Sequence, residues 1–283
     1  MSLGVLTNVA AINAENSLNQ TQNSLNTVLE QLSSGSRINS GADDAAGLSI
    51  SDGLQANQAA LTQSAQNAQN GVGLLQTADG ALAQVTNLLD RAVTLATEAS
   101  NGGLTAAQSS AANTEFQSIV TEIGNIGSTT NFNSTNVFSA TATNFVVSDG
   151  TTAGTTTIAA TVGALTSGSV GTATGGGAGQ SLSTDVLTTT AGAATALTDV
   201  TTAIADVSNQ RGAIGADVNQ LNAASNVASA EQVNLASAQS SILATNFGQA
   251  TSDLAKFQVL SQTGISALAQ ANSTQQEILK LLQ

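Results

Sequence analysis

The sequence predicts a mainly α protein: a long antiparallel coiled-coil helical hairpin formed by the N- and C-terminal segments, with a small β-rich insertion in the middle. Two seven-residue ladders of apolar residues carry that expectation, one on each side of a Thr/Ser/Gly-rich stretch. Ladders so placed can fold back and pair, which brings both ends of the chain to one end of a rod.

The first ladder is Leu54, Leu61, Ala68, Leu75, Leu82, Leu89 and Ala96, with Val72 and Val93 as companions on the same seam. The second is Val207, Ile214, Leu221, Ala228, Leu235 and Ile242, with Ile204 and Val218 beside it. An apolar repeat of 3.5 residues held over several heptads keeps one stripe of a helix facing a partner. The first ladder covers ~65 Å at ~1.5 Å per residue, far beyond an ordinary globular helix.

Two further segments join this helical system. Leu18, Leu25 and Leu32, with Val28 between, make a short seam near the N-terminus. Leu254, Phe257, Ile265 and Leu268, then Ile278, Leu279, Leu281 and Leu282, continue apolar spacing to the C-terminus. A third helix is expected from about Thr105 to Ile126, where Phe116, Ile119, Val120 and Ile123 share a face. From Thr129 to Thr190 the pattern changes to short β-branched runs, Asn144–Val147 and Thr155–Ile158, with Asp149-Gly150 as a plausible hairpin turn. Gly175-Gly176-Gly177 with Gly179 marks a flexible crossing. The competing reading of this middle is a disordered low-complexity linker.

Composition removes most chemistry. There is no Cys, hence no disulfide and no thiolate metal site, and no His, hence no imidazole base or ligand. Trp and Tyr are absent as well, and Lys+Arg is 5 against Asp+Glu 18, a net charge of −13. A chain so acidic is repelled by nucleic acid and by anionic membranes, and no apolar run approaches the ~18 residues of a membrane span. The start of the chain lacks the basic, apolar and cleavage regions of a signal peptide. No enzyme activity, no cofactor and no metal are expected.

A single alanine-diluted seam is a weak counterweight to the ordering of so long a rod. The terminal segments, with narrow apolar stripes, are expected to be poorly ordered alone and to fold against neighbours. Their Ala, Ser and Gly flanks let helices approach closely. A heterologous contact that does not close into a ring generates a helical filament.

The segment Ser33-Ser34-Gly35-Ser36-Arg37-Ile38-Asn39-Ser40-Gly41-Ala42-Asp43-Asp44-Ala45-Ala46-Gly47-Leu48 closely resembles the N-terminal signature of bacterial flagellins. Asn101-Gly102, Glu115-Phe116-Gln117, Ile123-Gly124-Asn125-Ile126 and Thr129-Thr130-Asn131-Phe132-Asn133 resemble later stretches of that family. So do Leu268-Ala269-Gln270-Ala271-Asn272 and Ile278-Leu279-Lys280-Leu281-Leu282 at the other end. The resemblance covers about residues 1–140 and 195–283, and the middle matches only as the family's variable insertion.

The resemblance implies a structural subunit that self-assembles into the helical flagellar filament for swimming motility. Its implied location is outside the cell, reached unfolded through type III export without a cleaved signal. It implies three parts: residues 1–42 and 243–283 as terminal helices of the filament inner core, 43–128 and 195–242 as the long-helix domain, and 129–194 as a surface-exposed insertion. Subunit packing falls to Leu18, Leu25, Leu32, Arg37, Asn39, Asp43, Asp44, Leu254, Phe257 and Leu268. Implied partners are further copies of the chain, a flagellar export chaperone, the filament cap and hook-associated proteins. Arg91, Leu95 and Glu115 resemble positions that innate immune receptors read, although Val93 and Thr94 stand where a charged pair is common.

Several positions that are basic in the family are neutral here, as in Ser240-Ser241-Ile242 and Val218-Asn219-Gln220-Leu221. Subunit contacts should accordingly depend little on salt. Asp43 and Asp44, adjacent and without converging ligands, read as helix-start carboxylates favoured by the macrodipole. Arg37 reads equally as a carboxylate partner or a solvated chain, and Arg211 as a stem covering the seam with its head in water. The Ser/Thr-rich middle suits either O-glycans or a bare hydrogen-bonding surface, and without His an H-E-x-x-H protease there is impossible. The rival functions are a hook–filament junction protein and, from another class, a secreted surface-layer protein or adhesin.

Overall fold

The structure is a computed structural model that describes residues 7–149, 156–173 and 177–281. Its helices are α1 (Val9–Ser34), α2 (Ala45–Ser100), α3 (Ala106–Thr129), α4 (Thr190–Leu243) and α5 (Phe247–Leu281). Short strands lie between α3 and α4: β1 (Asn131–Phe132), β2 (Thr135–Asn136), β3 (Thr143–Val146), β4 (Thr157–Ala160), β5 (Val170–Ala173) and β6 (Gly177–Gln180). Consecutive strands pair antiparallel as β1–β2, β3–β4 and β5–β6. The chain is mainly helical with a small β insertion, and it divides into two units, Met1–Ala56 with Asn234–Gln283, and Asn57–Val233.

In the second unit α2 and α4 run antiparallel in one register. Gln232 Nε2 donates to Thr62 Oγ1 at 2.9 Å, Leu221 lies against Gly71, and Arg211 Nε reaches Asp79 Oδ1 at 2.7 Å. Residue numbers rise on one helix as they fall on the other. Leu61, Ala68, Leu75, Leu82, Leu89 and Ala96 are all buried along α2, as are Val207, Ile214, Leu221 and Ala228 along α4. Leu54, Leu235 and Ile242, which belong to the first unit, are half-buried.

The seam departs from the expected pattern at its companion position and at the start of the α4 ladder. Val72 and Val93 are only half-buried; the companion position is Ser64, Gly71, Ala78, Val85, Ala92 and Ala99, three residues after each ladder position, all buried. Small side chains carry little apolar signal, yet they occupy the crowded side of the contact where bulk would clash. A Cβ on Gly71 would lie 2.9 Å from Leu221 Cδ1 and 3.1 Å from Phe145 Cδ2. The α4 ladder also begins two heptads earlier than expected, at Ala193 and Val200, both fully buried.

α3 starts where the sequence places it. Thr105 is the N-cap of a capping box with Gln108, which pairs two otherwise orphaned backbone N–H groups. Phe116, Ile119, Val120 and Ile123 form its buried face.

The described residues of the insertion are folded rather than a disordered linker, and they dock on the helices of their own unit. β3 and β4 pair Phe145 with Ile158, close to the expected hairpin; Gly150 of its turn, like Gly175 and Gly176 of the crossing, lies outside the described residues. Ile158, Ala160, Val162, Leu165, Val170, Leu182 and Leu187 join the helical core. Polar anchors fix the docking: Ser64 Oγ donates to the Ser148 carbonyl at 2.6 Å, the Gln180 N–H donates to Asp206 Oδ2 at 3.1 Å, and Gln210 Nε2 donates to the Val162 carbonyl. Gly171, at φ +79°, lies so close to the Asp206–Val207 backbone that no side chain fits there.

In the first unit α1 and α5 run antiparallel. Asn8 caps α1 by accepting from the Ala11 N–H at 3.0 Å, while its Nδ2 donates to the Ala271 carbonyl at 3.0 Å. Gly264 admits Leu18, whose Cδ1 would be 3.2 Å from a Cβ there.

Candidate functional site: a self-association surface

The long loop between α1 and α2 is built from the signature segment. α1 ends at Gly35, whose φ of +71° is the left-handed geometry that suits glycine, and the Gly35 N–H donates to the Gln31 carbonyl at 3.0 Å. Beside it the chain crosses from α4 to α5. Arg37 closes both crossings: its N–H donates to the Leu243 carbonyl at 2.6 Å and its Nη2 to the Ile242 carbonyl at 3.0 Å. Those carbonyls are the ones a helix C-terminus leaves without partners. Within the subunit the Arg37 side chain meets a helix-end carbonyl, and it stays exposed to solvent.

Asp43 and Asp44 organise the other side of the loop. Asp43 Oδ2 accepts from the Asn39 N–H, the Ser40 N–H and the Ser40 hydroxyl at 3.0, 2.9 and 3.1 Å. These bonds, the Asn39 one first, hold its carboxyl below the usual carboxylate range. Asp44 Oδ1 accepts from the Gly47 N–H at 2.8 Å and caps α2. A Cβ on Gly47 would stand 2.6 Å from Asp44 Oδ2 and 2.7 Å from Ile38 Cδ1, so any larger residue there must displace the capping carboxylate or Ile38. Asn39 Nδ2 donates to the Ser36 carbonyl.

What surrounds this loop is poor in core. Of the 35 buried apolar side chains among the described residues only Val28, Ile38 and Ala250 belong to the first unit. Leu18, Leu25, Leu32, Leu254, Phe257 and Leu268 are each half-buried, although α1 and α5 are both formed helices. The side chains of Ile278, Leu279 and Leu281, and all of Leu282, lie outside the described residues. The same unit holds eight of the twelve exposed large apolar side chains among the described residues, including Val9 at 62%, Ile12 at 46%, Phe247 at 55%, Val259 at 62% and Ile265 at 50%.

The remaining candidates lie in the second unit. Arg91 Nε pairs with Glu115 Oε1 at 2.7 Å in the open, raising the arginine's pKa and lowering the glutamate's, in each case chiefly through that hydrogen bond. Leu95, between them in the expected patch, is 3% exposed and belongs to the core. Arg211 grips Asp79 with both Nε and Nη2, at 2.7 and 3.3 Å, and both side chains remain partly exposed to solvent. Sequence reading missed Asp185, which is 7% exposed, with Oδ2 unpartnered and Asp199 beside it. Desolvation, then the neighbouring carboxyl, pushes its pKa up to about 6. Among the described residues no group of three or more acidic side chains is arranged to hold a metal, and no helix is long and apolar enough to cross a membrane.

A family model of the bacterial flagellin N-terminal helical region matches residues 5–143, and one of the C-terminal helical region matches residues 197–282. The chain belongs to the bacterial flagellin family. A flagellin of Listeria innocua is 31% identical over 98% of this chain and 99% of its own length, and one of Halalkalibacterium halodurans 32% identical over 97% and 98%. Polar flagellin C of Vibrio parahaemolyticus is 43% identical over 47% of this chain, a match that spans 34% of that longer relative. A crystal structure of Bacillus cereus flagellin aligns with a TM-score of 0.46 at 28% identity, over 57% of this chain and 88% of that one. As a flagellin the chain is a structural subunit of the flagellar filament that serves motility, and the family is one of structural proteins.

Proposed function

We propose that the first unit supplies the contacts that join copies of this flagellin into a helical filament, working without catalysis or cofactor. The observation that carries this is the inverted burial of that unit's described residues, three buried apolar side chains against eight large exposed ones. Burying the exposed halves of those eight contributes on the order of 10 kcal/mol gross. Association itself costs roughly 4–15 kcal/mol in lost rigid-body freedom. Burial of these eight side chains is therefore of the same order as the cost of association, and the exposed faces of both α1 and α5 must be covered for the contact to hold.

In this reading residues 1–42 and 243–283 pack inward, 43–128 and 195–242 form the surrounding long-helix layer, and 129–194 faces solvent. Leu18, Leu25, Leu32, Leu254, Phe257 and Leu268 would complete their burial against other copies. Arg37, Asn39, Asp43 and Asp44 hold the loop that presents this surface. The remaining assignments rest on the family alone: export in unfolded form to the cell exterior, with a chaperone, a filament cap and hook-associated proteins as partners. An innate immune receptor would meet the exposed Arg91–Glu115 pair, with Leu95 withdrawn beneath it.

Electron microscopy of purified chain with short filament seeds tests the proposal. Growth into long filaments is expected from the native chain, and loss of growth from a Val259→Ser, Leu260→Ser variant that keeps its helical circular dichroism. Short rings that stop growing would favour the hook–filament junction reading. Normal elongation by the double variant would refute the assigned surface.

A further inference from the structure

The turn between α2 and α3 carries Asn101-Gly102-Gly103, and the pair Asn-Gly occurs once more in the sequence, at Asn70-Gly71. The two copies have opposite environments. Asn101, Gly102 and Gly103 are all exposed, and Asn101 lies just beyond the last residue of α2. The Asn101 N–H donates to the Glu98 carbonyl at 3.3 Å, whereas the Gly102 amide has no hydrogen-bond partner among the described residues. Gly102 sits at φ +65° and has no side chain to shield its nitrogen. Asn70-Gly71 lies in the middle of α2, where the Gly71 N–H is committed to the helical ladder. Gly71 is buried besides, against Leu221 and Phe145.

We propose that Asn101 is a site of spontaneous deamidation, with the backbone nitrogen of Gly102 as the nucleophile. That nitrogen, having given its proton to solvent base, attacks Cγ of Asn101 to close a five-membered succinimide. The side-chain nitrogen takes up a proton and leaves as ammonia. Water then opens the ring at either carbonyl, giving aspartate or isoaspartate. One water is consumed, one ammonia is released, and nothing is oxidised or reduced.

Exposure lets water and base reach the turn. The turn also leaves Asn101 free to rotate toward its neighbour, which helical dihedrals at Asn70 forbid. The product places a carboxylate at the C-terminal end of α2, beside Glu98, where the helix dipole disfavours negative charge. The last turn of α2 should therefore loosen as the modification accumulates.

The sequence supplies a convenient assay. Cleavage at the five basic residues puts Asn70 in fragment 38–91 and Asn101 in fragment 92–211. The folded chain is aged in mildly alkaline buffer, and each fragment is followed by mass spectrometry with the site located by fragmentation. Conversion at Asn101 is expected to outrun Asn70 at least ~100-fold, corresponding to about 2.7 kcal/mol of extra barrier from opening the helix. In strong denaturant the two sites should convert at similar rates, and Asn101→Gln should abolish the change in 92–211. An intact Asn101 in the aged folded chain, or equal conversion at the two sites, would overturn the proposal.

Discussion

Asp185 and Asp43 are both carboxylates of this one chain, and their surroundings push them in opposite directions. Asp43 is held ionised by three hydrogen bonds, so the stability it contributes is present above the ordinary carboxylate range and is lost as pH falls through its lowered pKa. Asp185 is buried beside Asp199, and its pKa of about 6 exceeds the unfolded value. The folded state thus binds the extra proton, and the stability tied to it is full below about pH 4 and disappears as pH rises through about 6. Replacement Asp185→Asn should raise the melting temperature above pH 7 by a few degrees and flatten its fall between those limits; thermal unfolding across the pH series measures both. An equal or lower melting temperature at every pH would contradict the burial argument. At the signature loop, Asp44→Ala should cost about 1 kcal/mol as a lost N-cap. Gly47→Ala should cost roughly 1–3 kcal/mol, because its Cβ collides with Asp44 and Ile38. Denaturant titration reads both. The loop's residue types were legible in sequence as a motif. Arg37's grip on helix-end carbonyls was not, because its partners stand more than 200 residues away.

For the helices, the distinction that matters is between buried and exposed apolar faces. Leu82 on α2 is fully buried, so Leu82→Ala should destabilise the subunit by about 2–5 kcal/mol. On α5, Val259→Ala and Ile265→Ala remove side chains that are 62% and 50% exposed and should move subunit stability by less than about 0.5 kcal/mol, while weakening polymerisation. Comparing denaturant midpoints with the critical concentration for assembly separates the two effects. The companion position is tested similarly. Val85→Ala should cost more than Val72→Ala, since Val85 is fully buried and Val72 half-buried. The ladder of Leu, Val and Ile was legible from its seven-residue recurrence. Its companion row was hidden, because Ser64, Gly71, Ala78 and Ala92 are selected for small size and not for apolarity.

At the scale of the whole molecule, burial among the described residues is concentrated in one of two units, and that asymmetry predicts how stability is distributed. In dilute subunit, backbone amides of α1 and α5 should exchange with solvent faster than those of the α2–α4 seam in Asn57–Val233, and should become protected on polymerisation. Hydrogen exchange with mass spectrometric readout measures this. Equal protection throughout the free subunit would remove the case for completion by neighbours. Both ion pairs among the described residues, Arg91–Glu115 and Arg211–Asp79, lie in the second unit. The critical concentration should accordingly change little between low and high ionic strength. Sedimentation across a salt series checks it, and a many-fold shift would show that charges dominate the subunit contacts.

The amino-acid sequence alone determined the long helices, their antiparallel ladders and the glycine-bearing signature loop. Periodicity, capping and left-handed turns are properties of neighbouring residues and can be read along the chain. The tertiary structure alone decided which small residues sit in the seam, that Arg211 meets Asp79, that Leu95 lies inside, that the insertion docks on the helices, and that Asp185 is buried beside Asp199. Each of these depends on what a distant element covers. Desolvation is a property of the packed neighbourhood, and sequence order carries no measure of it.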